Sequence, residues 1–195
     1  MSSHIARISK NTDAVVPRIV DGIRTLAARF RPRPISPTMP PTAFRDAENR
    51  EIRFRAYRDE DLAALIEMYD AFDRSQRAQG VPPASNAGIR NWLDDILAGP
   101  NVIALHDGQV VGHVSFVPDG TGRHELAIFV HQDYQQAGVG SQLLGAGLGH
   151  AKAEGVGYIW LSVEKGKRHL QPFYCRAGFS TINPMGITAR MSREL

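Results

Sequence analysis

The chain has 195 residues, 43% of them hydrophobic, which is enough for one packed domain and an additional segment. No apolar run approaches the ~20 residues of a membrane span, and the single cysteine, Cys175, excludes an internal disulfide and a cysteine-based zinc site. The net charge of +3 comes from residues 1–50, which hold nine Lys/Arg against four Asp/Glu, so the basic balance gives no reason to predict nucleic-acid binding by residues 51–195.

Residues 1–50 are predicted to be a basic, proline-rich N-terminal extension, partly disordered, in front of a folded domain at 51–195. Within the extension, residues 15–30 have the apolar spacing of a short amphipathic helix. Residues 31–41 contain five prolines and indicate an extended linker. The first part, residues 15–30, is typical either of an organelle import sequence or docking arm, or of a flexible tail. We favour the tail and expect a cytoplasmic protein, with import as the weaker alternative.

The folded domain opens with a strand and two amphipathic helices. Residues 52–57 alternate as in a strand, and the acidic run 59–61 begins the first helix. Its apolar face is predicted to hold Leu62, Leu65, Ile66, Tyr69 and Phe72. The second helix carries Ile89, Trp92, Leu93, Ile96 and Leu97 on one face and stops at Gly99–Pro100. Residues 70–83, between the two helices, either line an acceptor pocket or form a surface loop.

Strands dominate the next part of the chain. Residues 101–106 and 109–117 are predicted to form a hairpin around Asp107–Gly108, a sequence typical of a type I′ turn. A third strand ends at Val130, and a helix over 139–153 connects it to a parallel strand at 158–164. We therefore expect an α/β protein with a mixed sheet flanked by helices. The glycines at positions 145, 147 and 149 of the long helix predict close packing on that sheet.

A glycine-spaced turn joins the strand ending at Val130 to the long helix. The first N–H groups of a helix lack partners and lie at the positive end of its dipole, so they suit a phosphate. Gly138 and Gly140 leave room for the anion to approach the backbone. A Walker loop requires a lysine after its last glycine, but Gly140 is followed by Ser141. A dinucleotide-binding fingerprint requires a third glycine where this chain has Leu143. Both of these loop types are therefore excluded. The predicted phosphate-binding residues are Gln135, Gln136, Ala137, Gly138, Val139, Gly140 and Ser141.

These residues resemble the GNAT N-acetyltransferase superfamily. Its first core motif, Gln/Arg-x-x-Gly-x-Gly/Ala between a strand and a helix, is matched by Gln135, Gly138 and Gly140. Its second motif is matched by FYCRAGF at 173–179, after the strand at 158–164. The resemblance covers roughly 52–195. It implies a GNAT-like central mixed β-sheet flanked by helices, and acetyl-CoA as co-substrate.

The resemblance also implies three catalytic contributions. Glu125 is the expected general base for an amine whose ordinary pKa is about 10.4; the alternative is a strand-entrance glutamate, exposed or paired with Arg123. Backbone N–H groups of Phe129 and Val130 are expected to polarise the thioester, helped by a bulge. Tyr174 is expected to protonate or hydrogen-bond the departing thiolate; the alternative is a core aromatic.

Four further side chains have weaker predicted roles. His124 and His131 are secondary candidates for the base, or else ordinary polar residues at strand ends. No ligand spacing is recognisable, so no metal is predicted. Lys167 stands where many relatives have an asparagine that contacts the cofactor, and it either binds the cofactor or belongs to a solvated loop. Cys175 is predicted to lie in the core, because no base is placed to activate it as a nucleophile.

The leading hypothesis is an N-acetyltransferase that moves an acetyl group from acetyl-CoA to a primary amine by direct attack. The acceptor is a small-molecule or protein amine, and the protein is expected to be a monomer or homodimer. The alternative is a non-catalytic acyl-CoA-binding or sensor module. A third hypothesis is an adaptor whose basic arm recruits nucleic acid or an acidic surface. Tyr174 and Glu125 together favour the enzyme, while the sequence leaves the identity of the acceptor open.

Overall fold

A computed structural model describes residues 33–73, 75, 81–183 and 188–195, without the side chains of Lys165 and Arg168. The amphipathic helix predicted at 15–30 lies outside the described residues, as do residues 74 and 76–80 of the predicted acceptor segment. The described chain belongs to a compact unit that spans Pro34–Leu195. None of the helices in the described ranges has both the length and the apolar character needed to cross a membrane.

Eight strands form one mixed sheet in the order β1-β2-β3-β4-β5-β6-β8-β7. They are β1 (Thr42–Arg45), β2 (Glu51–Ala56), β3 (Asn101–His106), β4 (Gln109–Pro118), β5 (His124–Val130), β6 (Tyr158–Glu164), β7 (Ser180–Asn183) and β8 (Thr188–Glu194). Neighbouring strands pair antiparallel except β5 and β6, which are parallel. The predicted mixed sheet is confirmed.

Two pairs of helices cover opposite faces of this sheet. The helices are α1 (Leu62–Asp70), α2 (Asn86–Ile96), α3 (Val139–Ala153) and α4 (Gln171–Arg176). Apolar side chains of α1 and α2 pack with Ile103 of β3 in one core cluster. Those of α3 pack with Ile159 of β6 in the other cluster, against which Phe173 and Tyr174 of α4 also lie. Because adjacent strand residues point to opposite faces, each face of the sheet has its own core.

Local sequence signals account for the ends of these elements. Asp107 and Gly108 have positive φ angles of 48° and 83°, as the predicted type I′ hairpin requires. The Ser85 hydroxyl accepts from the Gly88 N–H at 3.2 Å and caps α2. Pro172 stands in the first turn of α4, and Gly178 follows that helix with a φ of 79°.

The folded unit begins earlier than the predicted boundary at residue 51. Ile35 is buried, and its N–H donates to the Arg176 carbonyl at 2.8 Å. The N–H of Thr38 donates to the Gly145 carbonyl at 2.9 Å, and β1 pairs with β2 at the edge of the sheet. The described part of the proline-rich segment, residues 33–41, packs along α3 rather than serving as a linker.

The glycines at positions 145, 147 and 149 of α3 meet two different neighbours. A Cβ on Gly147 would lie 2.6 Å from Val114 Cγ1 of the sheet. A Cβ on Gly145 would lie 2.8 Å from the Ser36 carbonyl, and one on Gly149 would overlap the backbone of Thr38. The prediction of close packing on the sheet is therefore right for Gly147 and wrong for the other two, because the proline-rich segment packs against the opposite side of α3.

Candidate functional site

Strands β5 and β6 pair only at their beginnings and then part. Their described pairs are His124↔Ile159 and Glu125↔Trp160. Beyond these pairs, β5 remains paired with β4 as far as Val130 and β6 remains paired with β8 as far as Glu164. A gap therefore opens in the middle of the sheet toward the carboxyl ends of both strands.

The backbone of β5 presents donors to this gap. The N–H of His131 donates to the Val111 carbonyl of β4 at 2.9 Å. In the alternating antiparallel pattern, Phe129 then bonds to β4, whereas the N–H of Val130 points to the other side. Of the two predicted backbone donors, Val130 is the one that faces the gap.

The bulge implied at Phe129 and Val130 is absent from the pairing of β5. Its register with β4 runs without interruption from Gly112↔Val130 to Pro118↔His124. The register shift near this site lies instead between β3 and β4, at Ala104 and Leu105. The divergence of β5 and β6 opens the gap without a bulge on β5.

The glycine-spaced turn lies directly beyond β5 and leads into α3. Gln136 and Gly138 have positive φ angles of 58° and 94°, and Gly138 is the N-cap of the helix. Within the described ranges, no carbonyl accepts from the N–H groups of Val139 and Gly140. The N–H of Ser141 donates to the Gly138 carbonyl at 3.1 Å. The start of α3 therefore offers two backbone donors and the positive end of a fifteen-residue helix.

The turn is held by the end of β5 and by the loop between β1 and β2. The Gln135 side chain donates to the Val130 carbonyl at 2.9 Å, and the N–H of Ala47 donates to the Ala137 carbonyl at 3.1 Å. A Cβ on Gly138 would approach Phe44 Cζ to 3.1 Å. These contacts fix the path of the turn before any ligand binds.

Arg50 braces the same turn from the β1–β2 loop. Its Nε donates to Asp46 Oδ2 at 2.7 Å, and its Nη1 donates to the Asp133 carbonyl at 2.9 Å. Its guanidinium carbon lies 4.1 Å from the centre of the Tyr134 ring. Sequence reasoning assigned residues 42–50 to the extension and missed this support. The available signal was the polar run DAENR between two alternating segments, which is typical of a hairpin loop.

Arg176 brings a second guanidinium to the start of α3. Its Nη2 donates to Ser141 Oγ at 3.2 Å, and its guanidinium carbon lies 5.8 Å from the centre of the Phe173 ring. The sequence interpretation included Arg176 in a motif but gave it no role. The signal for one was its spacing of three from Phe173, which puts both on one side of α4.

Tyr174 lies on the α3 and α4 side of the sheet. Its ring centre is 5.1 Å from that of Phe173 and 6.0 Å from that of Phe179. Burial raises the pKa of Tyr174 to about 12, so its phenol remains neutral and can donate a hydrogen bond. No side chain or carbonyl in the described part of the chain accepts that hydrogen bond.

Glu125 lies on the opposite face, at the point where the gap begins. It is half-buried, and burial raises its pKa; the positive charge of Arg190 lowers the pKa and the negative charge of Asp119 raises it. Arg123, the partner named in the alternative interpretation of Glu125, stacks over the Tyr158 ring at 5.0 Å. Glu125 and Tyr174 thus lie on opposite faces of the sheet.

The remaining predicted residues are dispersed. Lys167 lies in the 3-10 segment Lys165–Leu170 between β6 and α4. Cys175 is exposed, which corrects the prediction that it lies in the core, because α4 turns its side chain to solvent.

The Nε2 atom of His131 lies 3.0 Å from the side-chain nitrogen of Gln132. His124 lines a cavity of about 860 Å³ at the opposite end of β5 from the glycine-spaced turn. No cluster of three potential metal ligands occurs among the described residues.

Comparison of the sequence with known proteins gives two findings. The model of the acetyltransferase (GNAT) family matches residues 65–179. Mycothiol acetyltransferase of Propionibacterium freudenreichii subsp. shermanii is 33% identical over an alignment of 176 positions that covers 83% of this chain. The chain spans 56% of the length of that relative.

Solved structures share the fold. The GNAT domain of S. lividans PAT has a TM-score of 0.66 at 17% identity, covering 79% of this chain and 96% of its own. The putative acetyltransferase yncA from Salmonella typhimurium, solved with acetyl-CoA, has a TM-score of 0.59 at 20% identity, covering 74% and 94%. PaiA N-acetyltransferase from Thermoplasma acidophilum, solved with coenzyme A, has a TM-score of 0.57 at 18% identity, covering 74% and 99%. The predicted GNAT-like fold is confirmed.

Proposed function

Because this chain belongs to the GNAT acetyltransferase family, we propose that it moves an acetyl group from acetyl-CoA to a primary amine by direct attack. The observation that carries this proposal is the gap between β5 and β6, with the glycine-spaced turn and the start of α3 at its mouth. Two relatives of the same fold were solved with acetyl-CoA or coenzyme A, which supports the choice of donor.

The donor binds through its phosphates at the start of α3. The N–H groups of Val139 and Gly140 have no acceptor among the described residues, and the helix dipole adds a partial positive charge. Arg176 adds a full positive charge beside Ser141. From there the acyl arm of the donor enters the gap, where the N–H of Val130 is directed.

The acceptor approaches from the face that carries Glu125. An amine attacks only after losing a proton, and the half-buried carboxylate of Glu125 accepts it directly or through one water. The raised pKa of Glu125 makes it a stronger base than an exposed glutamate. The new N–C bond then forms while the carbonyl oxygen gains charge, and the Val130 N–H stabilises that oxygen.

Collapse of the tetrahedral intermediate breaks the C–S bond. Full proton transfer from Tyr174, whose pKa is about 12, to a thiolate whose acid has a pKa near 8.5 is uphill by roughly 5 kcal/mol. We therefore assign Tyr174 the role of hydrogen-bond donor to the developing thiolate. The ammonium gives up two protons in all: the first goes to Glu125 before attack and then to solvent, and the second leaves the nitrogen after attack and ends on sulfur, so charge and protons balance.

Two measurements on the same preparation test this proposal. Isothermal titration should show acetyl-CoA binding, and a thiol-release assay should show turnover with at least one member of a panel of small-molecule and peptide amines. Binding without turnover across the panel would favour the sensor module instead. Failure to bind acetyl-CoA would overturn both functions.

A further inference from the structure

A basic and aromatic pair lies beside Glu125 on the acceptor face of the sheet. The guanidinium carbon of Arg190, on β8, is 3.8 Å from the centre of the Trp160 ring on β6. The indole N–H of Trp160 donates to Asp119 Oδ2 at 3.0 Å, which fixes the orientation of the ring. Arg190 therefore rests on an anchored platform.

The strand register puts this pair next to the reacting centre. Trp160 is paired with Glu125 across β5 and β6, and Arg190 is paired with Ser162, two residues farther along β6. Paired residues share a face, strands lie ~4.8 Å apart and residues ~3.3 Å apart along a strand, so the Glu125 and Arg190 positions are two strands and two residues apart on one face, about 12 Å. The charge of Arg190 also influences the titration of Glu125.

The guanidinium of Arg190 is free to bind a ligand. Arg190 is exposed, and no residue in the described ranges forms a hydrogen bond or ion pair with its guanidinium. Arg50 and Arg55, in contrast, are held by Asp46 and Asp61 at 2.7 and 2.6 Å. An arginine over an aromatic ring keeps its N–H edge available, and that edge matches the two oxygens of a carboxylate or phosphate.

We propose that Arg190 is an anion subsite for the acceptor, so that the acceptor is an amine carrying a carboxylate or a phosphate group. The ammonium lies toward Glu125 and the oxyanion toward Arg190, so each end of the acceptor meets the opposite charge. The anionic group takes no part in bond making; it orients the amine toward the gap. This proposal rests on the proposed acetyltransferase function.

Matched acceptors test the subsite. Amino acids are compared with their amides, and O-phosphoethanolamine with ethanolamine, by kcat/KM for acetylation. We expect the anionic member of at least one pair to be preferred by about 10-fold or more, the usual effect of a charged hydrogen bond. Which pair shows the preference distinguishes a carboxylate from a phosphate ligand. Equal rates within both pairs would overturn the subsite.

The variant Arg190→Gln should remove the preference by lowering kcat/KM for the anionic acceptor about 10-fold, with less than a twofold change for its neutral partner. Arg123→Gln is the matched control, because Arg123 also stacks over an aromatic ring on this face yet is not paired beside the gap. An equal loss for both acceptors in Arg190→Gln would mean that Arg190 has a structural role only, and would contradict the proposal.

A binding measurement separates failure of the subsite from failure of the acetyltransferase. The anionic amine is titrated without acetyl-CoA while tryptophan fluorescence is followed, with Trp160→Phe as the control for the reporting residue. Arg190-dependent binding without acetylation of any amine would overturn the proposed function but support the subsite. Acetylation accompanied by binding that ignores Arg190→Gln would overturn the subsite alone.

Discussion

At the scale of single residues, two groups on opposite faces of the sheet have different tasks in the proposed reaction. Tyr174 lies on the α3 and α4 side with a pKa of about 12, and Glu125 lies half-buried on the other face with a raised pKa. Burial shifts both pKa values in the direction that favours the protonated form. For Tyr174 this preserves a hydrogen-bond donor, whereas for Glu125 it strengthens a base. The same physical effect thus supports opposite roles in the proposed reaction.

Tyr174→Phe should lower kcat about 10-fold or more while acetyl-CoA affinity stays within twofold, because the phenol acts only on the developing thiolate. Steady-state kinetics and isothermal titration measure the two effects. Tyr158→Phe is the control, since Tyr158 lies on β6 with its ring under Arg123. An unchanged kcat in Tyr174→Phe would remove Tyr174 from the mechanism.

At the scale of secondary structure, the start of α3 is the element on which donor binding depends. Gly138 has a φ of 94°, and a Cβ placed on it would lie 3.1 Å from Phe44 Cζ. Side chains are strained in that conformation, so a larger residue would move the first turn of the helix. The path of the turn and the direction of its N–H groups would change together.

Gly138→Val should therefore weaken acetyl-CoA binding about 100-fold or more, measured by isothermal titration. Gly155→Val is a matched control just after the other end of α3. Gly155 also has a positive φ, 83°, but a Cβ placed on it would have no neighbour within 4 Å. Circular dichroism establishes that both variants are folded. If Gly138→Val binds the donor like wild type, the phosphate site is elsewhere.

The predictable and unpredictable elements differ in how far apart their determinants lie in the chain. The hairpin at Asp107–Gly108 and the helix Val139–Ala153 follow from local turn and periodicity signals, and the structure has them as predicted. The local hairpin signal for β1 was available, since β1 pairs with β2 directly after it in the chain, but only tertiary contacts place Ile35 and Thr38 against Arg176 and Gly145. Likewise, the phosphate turn is contiguous and readable, whereas Arg50 and Arg176 reach it from distant segments.

At the scale of the whole molecule, a buried polar chain links α1 to the centre of the sheet. The Tyr69 hydroxyl lies 2.7 Å from His113 Nδ1, and His113 Nε2 lies 2.8 Å from Asn101 Oδ1. The Asn101 amide nitrogen donates to the Gly99 carbonyl at 2.6 Å, so its oxygen accepts from His113 Nε2–H. His113 is therefore neutral, and burial lowers its pKa to about 3.

This histidine predicts an acid-sensitive fold. The pKa of His113 is about 6.5 in the unfolded chain, so above that pH the imidazole is neutral in both states and its protonation does not lower the free energy of unfolding. As the pH falls, the unfolded chain gains a proton that the folded protein excludes, and stability is lost until the pH nears 3. Between pH 6.5 and 5 the free energy of unfolding should fall by roughly 2 kcal/mol. Urea denaturation measures it, and the slope should be shallower in His113→Gln; equal slopes would contradict the assignment.

The N-terminal packing predicts where the chain can be shortened. A chain starting at residue 34 keeps the whole of the compact unit Pro34–Leu195 and is the reference. A chain starting at residue 51 loses β1 and the buried Ile35, and should melt at least about 5 °C lower. Differential scanning calorimetry compares the two truncations. Equal midpoints would show that residues 34–50 contribute nothing to stability.

The parting of β5 and β6 has a consequence for colloidal behaviour. It creates an internal strand edge, since no described strand residue pairs with residues 126–130 of β5 on the side of β6. Exposed strand edges are templates for adding another chain. A donor whose acyl arm lies along that edge would cover the unpaired backbone groups of β5, so that another chain could not pair with them. Saturating acetyl-CoA should therefore delay light scattering during heating, and the empty protein should be the form that self-associates.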